Sequence, residues 1–557
     1  MKNGISSRGE MMILFFIFLS ILLYLISWHI PLMEIDAVQY ANISREMLQH
    51  KQFLQIYDQG KDYLDKPPML FWLSSASMYF FGINDSAYRF PSFLFSLLSI
   101  YSTFRFARLF YSRQIALLSA LVLASSQAMF LINHDVRTDT MLMGWVILSI
   151  WQMAAWYRSH HWTNLLMASV AIAGGLLTKG PIALIVPLLS FGSHFILQRN
   201  FRAFFRPQYL LMGILIALFL IPMSIGLYKQ FDLHPEKIMF DKKGVSGLRF
   251  YFWTQSFGRI TGESSWHEND HFFFLFQNML WGFLPWILFF IAGLITDIRE
   301  LIIHKIRISV SQEWISTGGF LFTYCILAIS HYQLPHYIYV VFPLASVITA
   351  KSLYSFLISE NFPNLERPVF IFHAIVFSLL ILAMIWLLWI PFPNETRWFL
   401  LVAIPALLIL VLNLFKKTRS LPALLVLGTG VMFIINSFLA MAFYPALLQY
   451  QLSIPVSRFI KVNHINPDSV FLYKIPTTAR SLDFYTNHSF KSIQTPDSLP
   501  SNSYLLTTKE GGDSINENLF KEKFKGEHYS VTRLSLPFLI PGKRPKETTP
   551  YYLLQKK

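Results

Sequence analysis

The chain has 557 residues, of which 54% are hydrophobic and only 14% are charged, against about 25% charged residues in ordinary soluble domains. Its mean hydropathy of +0.44 excludes a soluble globular protein. The single cysteine, Cys325, excludes an intramolecular disulfide and argues against cysteine-based metal or redox sites. The net charge of +15 would suggest nucleic acid in a soluble chain, but here the positive residues are scattered between hydrophobic runs. We therefore expect a membrane protein with no nucleic-acid partner.

Apolar runs predict the membrane spans, because roughly 20 apolar helical residues cross a bilayer core about 30 Å thick. A charged start without a small-residue cleavage site after the first run favours a retained anchor over a removed signal peptide. The sequence predicts about thirteen spanning helices, at residues 11–28, 88–110, 116–132, 141–156, 164–177, 182–197, 209–227, 272–295, 315–329, 337–357, 369–390, 398–415 and 421–443.

Basic residues predict the orientation of these spans. If the N-terminus is cytoplasmic, the loops on its side carry arginine and lysine clusters, for example at 105–113, 199–206 and 299–307. The short loops on the opposite side carry little more than Arg137, Lys179 and Arg397. This bias is the positive-inside pattern, and thirteen spans then place the C-terminal segment outside the cytoplasm.

Three polar segments on the outer side are too long to be simple connectors: 31–86, 229–271 and 446–557. We predict a transmembrane domain over residues 1–445, which includes the first two segments, and a soluble extracytoplasmic α/β domain over 446–557. The latter has short β-like runs at 469–473, 503–507 and 551–554, mixed with helical stretches.

Asp36 opens a stretch in which apolar or small residues recur at positions 37, 40, 41, 44, 47 and 48. This spacing predicts an amphipathic helix that lies on the membrane surface. Asp36 would be its N-cap, with Gln39 at the third helical position. A second interpretation is a base at the membrane face. The two are compatible, because backbone N–H groups keep a carboxylate ionised and oriented.

Asp139 ends the short outer segment 133–139, between two predicted spans. It could cap the following helix. Ionisable groups close to the hydrocarbon boundary are costly, however, and are therefore functional candidates.

Two lysines are the candidate phosphate ligands of the outer face. Lys66 follows Asp65 and precedes two prolines, which start a helix at Pro67 and fix the backbone. Lys179 stands at the outer end of a hairpin of two spans. Each lysine could simply extend its ammonium group to the interface, but two fixed lysines on one face also suit an anionic lipid phosphate.

Two further segments contribute candidates. Arg259 is a planar double donor that suits phosphate oxygens. Residues 267–271 (His-Glu-Asn-Asp-His) could bind a divalent ion, although such a run before a span is more typical of a solvated rim.

The hydroxyl and imidazole groups of 330–337, among them His336 and Tyr337, face an outer cavity or form an aromatic interface belt. Carboxylates and fixed cations on one membrane face suit a lipid-phosphate leaving group and a nucleophile deprotonated by aspartate.

Five short motifs occur in an order and spacing that resemble a known family. They are Asp36-x-x-x-Tyr40-Ala41, Asp65-Lys66-Pro67-Pro68, Thr178-Lys179-Gly180, Leu284-Pro285-Trp286 and Leu334-Pro335-His336-Tyr337. The family is the protein-mannosyltransferase-like membrane glycosyltransferases of GT-C fold, particularly the branch with the 4-amino-4-deoxy-L-arabinose lipid A transferase. The resemblance covers residues 11–443.

This resemblance implies a polytopic α-helical membrane protein of GT-C type with a small C-terminal α/β extracytoplasmic domain. It also implies roles for individual residues. The implied catalytic residues are Asp36, Asp139 and Lys66, and the implied substrate-binding residues are Tyr40, Asp65, Lys179, Arg259, His336 and Tyr337. This chain has Gln39 and Gln333 where the aminoarabinose branch has arginine and lysine, and Ser256 where some relatives have a suspected metal-binding histidine.

We therefore expect a glycosyltransferase of the bacterial inner membrane that takes a sugar from a polyprenyl-phosphate donor, with inversion. The acceptor would be lipid A-like, a glycan or a protein of the cell envelope. No cofactor is indicated other than a divalent metal ion, with Asp65 and His267 as candidate ligands. The alternative is a flippase or secondary transporter of lipid-linked sugars. A transporter would place ionisable residues near the midplane of its spans, whereas here they cluster at one face.

Overall fold

The computed structural model describes residues 5–255, 258, 271–358, 363–416, 421–475 and 480–557, and this part of the chain is mainly helical. The N-terminal half contains α1 (Ser7–Ile26), α2 (Asp36–His50), α3 (Met69–Phe81), α4 (Asp85–Phe110), α5 (Arg113–Ser125), α6 (Gln127–His134), α7 (Thr138–Ser159), α8 (Trp162–Lys179), α9 (Ile182–Leu197) and α10 (Gln208–Leu227). The next helices are α11 (Phe274–Gly282), α12 (Ile287–Ile303), α13 (Ile315–Ala328), α14 (Phe342–Ile358), α15 (Pro363–Trp389), α16 (Leu400–Lys416) and α17 (Leu421–Phe438). The C-terminal segment adds α18 (Ser453–Val462) and α19 (Arg480–Thr486).

Short polar residues fix where several helices start. Ser6 accepts a hydrogen bond from the backbone N–H of Gly9 at the start of α1, and Ser112 does the same at the start of α5. Asn84 caps α4 through the N–H of Ala87. Large apolar side chains on α1 and α10 stay exposed, as expected of helices that face lipid.

Six helices in the described ranges are long and apolar enough to cross a membrane, and a bent pair, α5 and α6, adds a seventh if it forms one span. Each of the thirteen predicted apolar runs falls on one or two helices. Several of these helices, such as α9 and α13, are shorter than a bilayer requires. The polytopic helical fold is therefore confirmed, while the number thirteen stays a prediction.

Helix α2 forms where it was predicted, although it begins at Asp36, one residue earlier than an N-cap at Asp36 implies, and it does not lie on a surface. Nearly all of its side chains from Ala37 to Met47 are buried. Helix α3 covers one side, and α19 of the C-terminal segment covers another. The prediction of a surface helix was wrong, because the polar residues that it assigned to solvent contact a segment more than 400 positions away in the sequence.

The C-terminal segment contains the one sheet of more than two strands in the described ranges. Its strands are β5 (Val470–Tyr473), β6 (Lys491–Ser492), β7 (Tyr504–Thr508), β8 (Phe520–His528) and β9 (Thr549–Lys556), in the order β6-β5-β7-β9-β8. Strand β5 pairs in parallel with β6 and β7, and β9 pairs antiparallel with β7 and β8. The three predicted β-like runs fall on β5, β7 and β9. Two-residue hairpins in the outer segments supply β1 (Tyr57–Asp58) with β2 (Lys61–Asp62), and β3 (Ile238–Met239) with β4 (Lys242–Lys243).

The predicted soluble domain, residues 446–557, packs on the helical part at several places, two of which are hydrophobic cores. Phe484 of α19 joins the hydrophobic core around α2 and α3. Tyr529 and Phe538 join a second core that α15, α16 and α17 form. The first of these contacts places the domain against the segment that opens with Asp36.

Candidate active site

Arg137 lies between two carboxylates at the start of α7. Its Nη1 donates to Oδ2 of Asp36 at 2.5 Å, and its Nε donates to Oδ2 of Asp135 at 2.9 Å. The capping role predicted for Asp36 was wrong, since the N-cap position of α2 is Ile35 and no side chain caps this helix. The Asp36 carboxylate is instead oriented by a guanidinium that is 101 residues away in the sequence.

The charges around Arg137 reinforce each other. Burial alone would lower the pKa of Arg137. The carboxylates of Asp135 and Asp36 raise this pKa by more than burial lowers it, so the net shift is upward. Burial likewise raises the pKa of Asp135, and the Arg137 guanidinium more than offsets this, so the net shift is downward. Arg137 and Asp135 therefore stay charged near neutral pH.

Asp139 forms a second ion-pair cluster. Its Oδ1 accepts from Nζ of Lys179 at 2.5 Å, and its Oδ2 lies 3.6 Å from Nε2 of His336. The Lys179 ammonium also lies 4.1 Å from the centroid of the Tyr337 ring, a cation–π distance. Lys179 thus binds protein groups and does not extend to an interface. Its location at the end of α8 follows from Gly180, whose φ of +106° starts the turn into α9.

The two clusters form one charged centre. Asp139 interacts electrostatically with Arg137 as well as with Lys179. The buried Tyr40 interacts electrostatically with Asp36 and Asp65, as well as with Arg137. Carboxylates and cations from four separate segments, at 36–40, 65–66, 135–139 and 179, therefore lie at the same end of the helical bundle.

Tyr40 keeps its proton in this environment. Burial raises the pKa of its hydroxyl most, and Tyr63 and the carboxylates Asp36 and Asp65 raise it further. Its ring packs edge-on against Phe71, with centroids 5.9 Å apart. Tyr40 can therefore act as a fixed neutral hydrogen-bond donor that lines the centre.

Lys66 pairs with its neighbour Asp65 at 2.5 Å, and its side chain is 15% exposed. Gln255 donates its amide to the backbone carbonyl of Asp65 and, at 3.3 Å, to its carboxylate. Helix α3 begins at Met69 with Pro68 in the cap position, two residues later than predicted. The prolines nevertheless fix this loop beside the centre, as their restricted backbone suggests.

Arg89 holds the end of α6 next to the charged centre, and the sequence analysis did not identify it. It is fully buried, and its Nε and Nη2 both donate to the carbonyl of His134 while Nη1 donates to that of Trp28. His134 ends α6, directly before the loop that carries Asp135 and Arg137. The sequence could have pointed to Arg89, because an arginine near the start of an apolar span is rare unless it has a role.

Arg259 and His267 lie outside the described residues. Within the described ranges, no group of three or more histidine, cysteine, aspartate or glutamate side chains could hold a metal ion. The candidate metal ligand Asp65 pairs instead with Lys66. A metal site at Asp65 and His267 therefore stays a prediction.

This arrangement combines a carboxylate that could act as a base with cations that could stabilise negative charge. Asp36 is a carboxylate oriented by Arg137, which suits a general base or an orienting acceptor. Lys66 and Lys179 are cations in a partly dehydrated place, where they stabilise developing negative charge more strongly than in water.

A family profile described as dolichyl-phosphate-mannose-protein mannosyltransferase matches residues 65–225. The undecaprenyl phosphate-alpha-4-amino-4-deoxy-L-arabinose arabinosyl transferase of Wigglesworthia glossinidia brevipalpis is 28% identical over 325 residues, which are 57% of this chain and 54% of that protein. Its counterpart in Erwinia tasmaniensis is 29% identical over 259 residues, 45% of this chain and 44% of that protein. These matches span about half the length of the relatives or less.

Structural similarity extends over the whole chain. ArnT from Cupriavidus metallidurans in the apo state has a TM-score of 0.71 and 16% sequence identity, with 98% of both chains covered. The same protein bound to undecaprenyl phosphate has a TM-score of 0.71, 17% identity and the same coverage. The chain therefore has the polytopic GT-C fold of the ArnT-like membrane glycosyltransferases.

Proposed function

We propose that the protein is an integral membrane glycosyltransferase that moves a sugar from a polyprenyl phosphate to an acceptor on the outer face of the membrane. The observation that carries the proposal is the single charged centre, in which Asp36 and Asp139 meet Arg137, Lys179 and the Asp65–Lys66 loop. The relatives named for transfer from undecaprenyl phosphate support a polyprenyl-phosphate donor.

The reaction is a direct displacement at the anomeric carbon. Asp36 orients the acceptor and takes its proton, while an acceptor oxygen forms the new bond to that carbon. The bond from the anomeric carbon to the phosphate oxygen breaks on the opposite side, so the configuration inverts and the electron pair goes to the phosphate. Lys66, with either Lys179 or Arg259, holds this phosphate, and cations stabilise the transition state more than the ground state because charge develops there.

The acceptor belongs to the outer envelope: a lipid A-like molecule, a glycan or a protein. The positive-inside pattern supports a cytoplasmic N-terminus and an extracytoplasmic soluble domain in the bacterial inner membrane. In this orientation the charged centre and the soluble domain face the same compartment as the acceptor.

Asp36→Asn tests the proposal, because it removes the charge and keeps the shape. Membranes or detergent micelles receive a labelled polyprenyl-phosphate sugar and envelope acceptors, and mass spectrometry measures the glycosylated acceptor and the free polyprenyl phosphate. We expect transfer to be lost while expression and thermal unfolding stay as in the wild type. Asp513→Asn, at an exposed aspartate of the soluble domain, is the matched control and keeps full transfer.

Full transfer by Asp36→Asn would contradict the mechanism. Movement of labelled donor across the membrane without release of free polyprenyl phosphate would overturn the proposal in favour of a flippase or secondary transporter. The ionisable residues of the centre lie at one end of the helices, as an enzyme at the membrane face requires.

A further inference from the structure

The soluble domain contributes a charged side chain to the edge of the candidate active site. Arg480, the first residue of α19, places Nη2 2.9 Å from Oδ2 of Asp58. The same carboxylate oxygen accepts from Nε2 of Gln39 at 2.7 Å. Asp58 is 8% exposed and the Arg480 side chain is 23% exposed, so this bridge is largely buried on its carboxylate side. Gln39 stands three residues after Asp36, about one turn along α2.

This bridge is close to the charged centre. The buried Tyr63 interacts electrostatically with Asp36 and Asp65 on one side and with Asp58 and Arg480 on the other. The Tyr63 hydroxyl, Nε of Arg480 and Oδ1 of Asp58 are all buried without a hydrogen-bond partner. These three polar atoms therefore lie together between the bridge and the charged centre.

The first turn of α2 is therefore held at two points. Arg137 holds Asp36, and the Arg480–Asp58 pair holds Gln39. These two attachments, one turn apart, restrict the first turn of α2 beyond the packing of the helix against α3 and α19.

Attachment of the soluble domain does not depend on Arg480 alone. Gln59 donates to Oδ2 of Asp483 at 2.9 Å, and the Tyr485 hydroxyl donates to Oδ1 of Asp85 at 2.9 Å. Glu34 accepts from the hydroxyl of Ser453 at 3.3 Å. Removal of the Arg480 charge should therefore leave the domain attached and change only how α2 is held.

We propose that Arg480 is a positioning residue, through which the soluble domain fixes the orientation of Asp36 by way of Asp58 and Gln39. This inference rests on the proposed function, because it assigns Arg480 to the transfer reaction. The domain is then part of the working site and not an appendage to it.

The test compares Arg480→Gln, Arg480→Lys and the control Arg458→Gln. Arg458 is an exposed arginine of the same domain, on α18. Initial rates of transfer from a labelled polyprenyl-phosphate sugar give kcat and KM for the donor, and hydrogen–deuterium exchange measures the protection of residues 36–50. Small displacements of a reacting group cost up to about a hundredfold in rate.

We expect Arg480→Gln to lower kcat by about tenfold or more while the donor KM stays within about twofold, because positioning, and not binding, is lost. Exchange over the first turn of α2 should become faster, and limited proteolysis should find the soluble domain still attached. Arg480→Lys, which keeps the pairing charge, should recover most of kcat. Arg458→Gln should behave as the wild type in all measurements.

An unchanged kcat in Arg480→Gln would overturn the inference, and so would a loss of transfer that accompanies detachment of the whole domain. Failure of Arg480→Lys to recover any of the lost kcat would also overturn it. If the wild type transfers no sugar at all, the proposed function fails, and the exchange of α2 in Arg480→Gln still decides whether Arg480 holds this helix.

Discussion

Arg137 is the residue on which the charged centre depends, since it pairs with Asp36 and Asp135 at once. Arg137→Gln should lower transfer by about a hundredfold, because loss of one oriented charge at a reacting centre has an effect of this size. The measurement is the initial rate with a labelled polyprenyl-phosphate sugar.

Arg397→Gln is the matched control for this prediction. Arg397 is the arginine of another outer loop, is exposed, and lies over the Trp389 ring at 4.6 Å. It should keep the wild-type rate. Equal rates in the two variants would mean that Arg137 contributes only positive charge to its loop and that its pairing with Asp36 and Asp135 does not matter for transfer.

The Lys179–Asp139 pair should contribute to stability as well as to chemistry. The side chain of Asp139 is 4% exposed and that of Lys179 is 15% exposed. Lys179→Met leaves a buried carboxylate without its main partner, and the free energy of unfolding should fall by roughly 3 kcal/mol. Thermal unfolding in detergent measures this as a lower Tm.

The double variant Asp139→Asn with Lys179→Met is the control, because it removes both charges of the pair. It should unfold at a higher temperature than Lys179→Met alone. A double variant as unstable as the sum of the two single variants would show that the pair has no coupling energy.

Sequence analysis found most members of the centre but not their pairing. Asp36, Asp139 and Lys179 stand in motifs beside proline, glycine or span boundaries, which made them visible. Arg137 was seen only as one charge of an outer loop, because nothing in its spacing connects it to an aspartate 101 residues away. Their convergence could be predicted, whereas the specific ion pairs depend on helix packing. The catalytic roles of these residues stay predictions.

At the scale of single elements, α2 shows what the periodicity of apolar residues can and cannot predict. The apolar spacing predicted the helix correctly and its start to within one residue. It did not predict what covers the helix, because Asn42 and Arg45 are polar and were expected to face solvent. Both contact the soluble domain instead: Asn42 donates to the carbonyl of Arg480, and Arg45 donates to the hydroxyl of Ser489 at 3.3 Å.

The contact between the segment before α2 and the soluble domain should depend on pH. Glu34 is buried against Ser453 and Ser481, and burial raises its pKa from 4.5 to about 7. The folded protein thus keeps this proton when the detached chain has lost it. The stabilisation is complete below pH 4.5 and is lost as the pH rises to about 7, with a total change of about 3 kcal/mol.

Limited proteolysis or hydrogen–deuterium exchange of the soluble domain from pH 4.5 to pH 8 measures this change. Burial also raises the pKa of Glu46 and of Asp483 in the same contact, so their effects have the same sign. Glu34→Gln imitates the protonated side chain at every pH and should reduce the pH dependence. Protection that increases with pH in the wild type would contradict the assignment.

At the scale of the whole molecule, the sequence predicted the class of fold but not where its helices bend or are interrupted. Apolar composition located the runs that form helices, yet a window of hydropathy cannot show where a helix bends. Helices α5 and α6 meet at 52°. The run at 272–295 is divided between α11 and α12. The soluble domain could be predicted as α/β from its β-like runs, while β6 and β8 were missed because one is two residues long and the other is mostly polar.

The predicted orientation leads to a test by cysteine labelling. A Cys325→Ser background removes the one native thiol, after which Ser501→Cys marks the soluble domain and Ser311→Cys marks the loop between α12 and α13. Both serines are exposed. An impermeant maleimide added to spheroplasts should label position 501 at once, and position 311 only after detergent opens the membrane.

The reason for this expectation is the charge of the loops. The segment before Ser311 carries Arg299, Lys305 and Arg307, which favour the cytoplasmic side, whereas the soluble domain has to share a compartment with the charged centre that it covers. Permeable maleimide should label both positions and serves as the control. Labelling of position 311 in sealed spheroplasts with protection of position 501 would invert the topology. The transfer reaction would then have to take place on the cytoplasmic face.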